Sequence, residues 1–128
     1  MTDAIDPERR AQGLRRYLEV YGDDAVTFEE GQADFFDLMM AQLFAEVWTR
    51  PALDIGPRRL VVMGVLAAQH HFDVLGRQFE RALDTGELTV DQVREIALHL
   101  IPYVGYPSSG ELYRVSETAI AAHLGAER

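Results

Sequence analysis

No cysteine occurs among the 128 residues. That absence excludes disulfides, thiolate metal sites and every reaction that begins at a thiol. Positive charge is scarce: twelve Lys+Arg against 21 Asp+Glu leave a formal net charge of −9. So acidic a surface repels phosphate backbones and anionic lipid, which sets aside nucleic acid and membrane as partners. Long apolar runs are missing as well. "LVVMGVLAA" stops at Gln69, well short of the roughly eighteen residues that a membrane span needs. The acidic opening "MTDAIDPERR" has no signal-peptide core, so a cytoplasmic protein is expected. A Gly-rich phosphate loop, a Gly-x-Ser-x-Gly elbow and a His-Glu-x-x-His pair are also absent. Accordingly no nucleotide, flavin, haem or metal is expected, and no cofactor.

What is present is an ordinary apolar fraction of 48% in a chain of single-domain length, so one domain over 1–128 is expected. The apolar spacing predicts six helices and no strand, a compact all-α fold. Asp6 and Pro7 suit the cap and first turn of a helix running to Tyr21 and stopping at Gly22. "ADFFDLMMAQLFAEVWT" forms the second, apolar around most of its girth and so meant for a core or a subunit contact. Arg50 before Pro51 ends it. A third helix carries "RRLVVMGVLAAQ" inward, and a fourth runs from Phe72 to about Thr85 with Gly86 closing it. Thr89 and Gln92 give the spacing of a capping box for the fifth, and Ser108 with Glu111 repeats it before the sixth, Ser109 to about His123.

Several segments in order, "FAEVWTRPALDIGPRRLVVMGVLAA" and then "FERALDTGELTVDQVREIALHLIPYVGYPSS", resemble the carboxymuconolactone decarboxylase family, which includes the alkyl hydroperoxidase D-like proteins. The pattern is Trp48, Arg50-Pro51, Arg59, Ala82-Leu83, Gly86, Glu95, Tyr103, Gly105, Pro107, and the likeness covers roughly residues 30 to 122. The resemblance implies a homotrimer or homohexamer with active sites near subunit contacts. It also implies reactive positions: Phe72 and Leu75 stand at the two cysteine slots of the peroxidase branch, Phe79 at its histidine and Leu60 at its upstream glutamate. All four are apolar. A thiol peroxidase is therefore excluded, and the carboxylate–imidazole pair of the decarboxylase branch is missing too. Phe72, Leu75, Phe79 and Leu83 share one helix face, which reads as filled core or as an apolar pocket.

The polar groups left for catalysis are His70, His71, Asp73, His99 and Tyr103. His70 and His71 fall in the turn between the third and fourth helices, bordering the family's site. Adjacent histidines point different ways, and as a metal pair they lack helical spacing and a local carboxylate. Asp73 sits where it favours the helix dipole or orients a histidine. His99 and Tyr103, four apart, share a face: a base and a donor to an oxyanion, or a structural hydrogen bond. Candidate substrate contacts are Phe72, Leu75, Phe79, Leu60, Glu46, Trp48 and Arg59. Glu46 is either paired with Arg58 or Arg59, or a proton carrier in an apolar site. Arg58, Arg59 and Arg77 suit a substrate carboxylate or surface salt bridges.

Two functions remain open at this stage. One is a cofactor-free enzyme acting by proton transfer on a small organic acid, lactone or aromatic compound, by decarboxylation, isomerisation or cyclisation. The other is a non-catalytic oligomer of the same fold that binds an apolar ligand or a protein.

Overall fold

The computed structural model describes residues 5–126; residues 1–4, part of the acidic opening, and 127–128 lie outside it. The helices are α1 (Pro7–Tyr21), α2 (Asp34–Leu38), α3 (Ile55–Ala68), α4 (Phe72–Asp84), α5 (Val90–Val104) and α6 (Ser109–Ala126). α2 continues as a π-helix over Met39–Val47, and a 3-10 turn, Tyr106–Ser108, leads into α6. Among the described residues there is no strand, so the all-α class holds. Contacts gather into two compact units, meeting in sequence between Ile55 and Gly56.

In the first unit, the Asp6 side chain accepts from the Glu8 N–H and Pro7 sits at the first position, as expected of that start. α1 packs on the π-helix through rings. Tyr17 meets Phe36 and Phe44 edge-on at 5.5 and 5.2 Å, and its hydroxyl donates to the Val26 carbonyl at 2.6 Å. The approach is close enough to require glycine: a Cβ on Gly13 would stand 1.7 Å from the Met40 carbonyl oxygen. Beside that contact Arg9 Nε donates to the Ala41 carbonyl at 3.0 Å, and Trp48 N–H reaches back five residues to Leu43. The regular α-helix expected over this stretch is therefore widened to π geometry, with a carbonyl hydrogen-bonded from another helix. Only one face of it is buried, through Phe36, Met40, Ala41 and Phe44; Phe35, Leu38, Leu43 and Val47 are exposed.

A buried ion pair closes this unit. Arg10 donates to Asp37 Oδ1 and to the Phe28 carbonyl, each at 2.6 Å, and Asp37 Oδ2 accepts from the Gly31 N–H at 2.9 Å. The Arg10 hydrogen bond, helped by that of Gly31, holds the Asp37 carboxyl below its ordinary range.

The second unit has an aliphatic core. Met63 and Ala67 of α3, Leu75 and Phe79 of α4, Val93 of α5 and Leu112 of α6 have no exposed surface. Each large apolar side chain so buried stabilises by about 1.5–3 kcal/mol. The Thr89–Gln92 capping box forms in both directions, at 3.1 and 2.9 Å, and Gly86 takes φ 78° after α4. The second capping box does not form as expected. Ser108 belongs to the 3-10 turn and faces His70, while Glu111 accepts from Arg114 at 2.7 Å.

Arg59, 1% exposed, spans the unit's segments. Its Nε and Nη2 hold both Glu87 oxygens at 3.0 Å, and Nη1 donates to Gln78 Oε1 at 2.6 Å. Burial pushes the Glu87 carboxyl up, but hydrogen bonds from Arg59 and Thr85 outweigh it and leave the group below its ordinary range.

Candidate functional site

The paired histidines are first of all a turn. His70 N–H bonds to Ala67 and His71 N–H to Leu66, the two hydrogen bonds of a Schellman ending. That ending places His70 at φ 62°, the one non-glycine among the described residues with positive φ. Glycine is the usual occupant, and a side chain there costs roughly 1–2 kcal/mol. His71 follows as the N-cap of α4 without a capping side-chain bond. The His70 Nδ1 stands 3.4 Å from Ser108 Oγ, and its ring meets the edge of Phe72 at 5.5 Å. Ser108 is 7% exposed. This contact joins the α3–α4 turn to the α5–α6 turn, so both lie at one end of the unit.

From that end a groove of about 280 Å³ runs between α4 and α6. Phe72, Asp73, Gly76, Arg77 and Glu80 line it from α4, spaced so that they share one helix face. Arg114, Val115, Thr118 and Ala119 line it from α6. Its surface is mixed: an apolar floor with two carboxylates and two guanidinium groups at the rim. Arg114 is paired with Glu111, whose hydrogen bond and charge raise its pKa further; the Asp73 charge acts in the same direction.

The candidate residues fall into three groups. Asp73 opens into the groove, with Phe72 at its end and His70 against Phe72. His99 and Tyr103 form a tilted ring pair 5.5 Å apart on α5, and Tyr103 is 80% exposed. Among the described residues, no hydrogen bond, ion pair or ring contact joins that pair to His70 or Asp73. The remaining substrate contacts are occupied or scattered. Leu75 and Phe79 are wholly in the core, and Leu60 is 46% exposed beside Val61 on α3. Arg59 is engaged by Glu87 and Gln78. Glu46 pairs with Arg9, not with Arg58 or Arg59, because the α1–π-helix packing brings Arg9 to it. Trp48 stacks on Phe44 at 5.7 Å.

Sequence reading overlooked Ser108, Gly76, Glu80, Arg114 and Thr118. For α4 the signal was available in the spacing 73, 76, 77, 80, which marks the face beside the apolar one. Among the described residues no group of three or more His, Cys, Asp or Glu could hold a metal ion, and no helix is long and apolar enough to cross a membrane.

The model of the carboxymuconolactone decarboxylase family matches residues 33–118. A 4-carboxymuconolactone decarboxylase of Acinetobacter baylyi is 32% identical over 117 residues, covering 88% of this chain and 87% of that protein. Nitrosuccinic acid decarboxylase npaB of Metarhizium robertsii is 32% identical over 114 residues, covering 85% of this chain and 79% of that one. No solved structure matches.

Proposed function

Because the chain belongs to the carboxymuconolactone decarboxylase family, we propose that it is a cofactor-free enzyme acting by proton transfer on a small organic acid, lactone or aromatic substrate held between α4 and α6. One observation carries the reading: Asp73 opens into a groove whose end, Phe72, bears the ring of His70. Loss of carbon dioxide leaves an electron pair on carbon, and a proton delivered from the His70 side at the Phe72 end quenches it. In an isomerisation or cyclisation, the Asp73 carboxylate takes the proton and returns it to another atom. Both relatives are decarboxylases by name, which favours the first of these. With no cysteine, the thiol route of a peroxidase is absent, and with no lysine, so is a lysine Schiff base.

The test is a screen of lactones and carboxylic acids against the purified protein without added metal or cofactor, reading carbon dioxide release and solvent-proton incorporation. Turnover is expected, and Asp73→Asn or His70→Ala lowers it about 10²- to 10⁴-fold. Turnover indifferent to both substitutions overturns this assignment of the site. A second reading, a non-catalytic ligand-binding member, is favoured by Leu75 and Phe79, which fill two of the positions the resemblance assigns to chemistry with solid core. Self-association as a homotrimer or homohexamer is part of the same proposal. Its support is the exposed apolar row Leu60, Val61 and Val65 on α3. Light scattering after gel filtration reads the mass directly.

A further inference from the structure

We infer that Arg77 anchors a substrate carboxylate in the α4–α6 groove and that Gly76 keeps the floor open for the apolar body of the same molecule. The ligand is thus a small carboxylate with a compact apolar or aromatic part. The inference rests on taking the groove as the ligand site, and it adds which residues select the ligand.

Arg77 lies mid-groove, four residues after Asp73 and three before Glu80, the spacings at which helical side chains meet. Yet neither carboxylate closes a salt bridge on it, and among the described residues no hydrogen bond or ion pair engages it. Arg114 across the groove is committed to Glu111. The groove therefore contains one unspent guanidinium, the group best shaped to take a carboxylate through two parallel hydrogen bonds.

Gly76 is the second observation. Glycine inside a helix costs roughly 0.5–1 kcal/mol relative to alanine, so a steric reason is usually sought. Here there is none: an added Cβ would meet Val115 Cβ at 3.7 Å, an ordinary contact. What the glycine does is leave the groove deeper by a side chain at the point next to Arg77. The remaining floor, Phe72, Val115 and Ala119, is apolar. A volume of about 280 Å³ sits just under the roughly 300–1,000 Å³ of pockets for drug-sized ligands, which restricts the ligand to a small one.

The test is titration of isotope-labelled protein with sodium benzoate and, separately, with benzamide, its neutral analogue, followed by amide NMR. Benzoate is expected to shift the Gly76, Arg77 and Thr118 signals, with benzamide at least about tenfold weaker. Arg77→Gln weakens benzoate roughly ten- to a hundredfold with the melting temperature unchanged. Gly76→Ala weakens benzoate while raising the melting temperature. Absent or displaced benzoate shifts, or wild-type affinity in Arg77→Gln, overturns the inference. The readout needs no turnover. A protein that turns over an acid but ignores Arg77 loses only this inference, whereas one that binds benzoate through Arg77 and turns over nothing loses only the enzyme reading.

Discussion

The two faces of α4 differ in what they ask of their residues. The inward face, Leu75, Phe79, Ala82 and Leu83, is buried against the rest of the second unit, and its one polar member, Gln78, is held by Arg59. The Gln78 Nε2 finds no partner there. The outward face carries Asp73, Gly76, Arg77 and Glu80 over a groove. Removing atoms from the first face should cost stability, whereas adding or neutralising atoms on the second should cost function. Family resemblance drew attention to the first. The proposed function rests on the second.

The sharpest break in that comparison is Phe79→Ala. A wholly buried phenylalanine lost from a close-packed core costs about 3–5 kcal/mol, read as a fall in the denaturant midpoint. A loss below 1 kcal/mol would show that the inward face is not core. Next comes His70→Gly, which relieves the left-handed backbone at the end of α3 and stabilises by about 1 kcal/mol after loss of the Ser108 contact. Raised stability with turnover intact would reduce His70 to a turn residue; raised stability with turnover lost fits strain kept for chemistry. Gly76→Ala gives a smaller gain, about 0.5–1 kcal/mol, measured by the same unfolding curve. A loss of stability there would mean that the outward face is packed after all.

The smallest change with pH near neutrality lies outside α4 and serves as its control. The Asp37 carboxyl is held below its ordinary 3.8 by Arg10, so its contribution to stability is complete above that value. As pH falls through the depressed folded value, the contribution is lost. Unfolding curves should therefore show this contribution constant from pH 7 to about 5 and declining only in stronger acid, with the decline removed in Asp37→Asn.

Much of the fold was legible because its signals are local. The Asp6–Pro7 start, the Thr89–Gln92 box and the Gly86 stop each depend on residues within one turn. The π-helix was not legible, because Gly13 and Arg9 reach Met40 and Ala41 across 27 and 32 positions of sequence. Partner choice failed for the same reason: Glu46 went to Arg9, and Arg59 to Glu87. At the site, the histidine turn was read as a turn, but its left-handed residue and its Ser108 contact come from tertiary packing. The groove was half legible. Arg77 was weighed as a carboxylate ligand, but reading α4 for its apolar stripe left Gly76 and Glu80 unconsidered.

The most direct measurement is the specificity constant of Gly76→Leu on the acid that the screen identifies, taken with its melting temperature. A leucine at this position fills the groove from its floor and leaves the inward face of α4 untouched. A folded protein is expected, with kcat/KM lowered at least about a hundredfold, the loss of roughly 2.7 kcal/mol of transition-state binding. A folded Gly76→Leu protein with wild-type kcat/KM would contradict it, because the reaction would then proceed somewhere other than between α4 and α6.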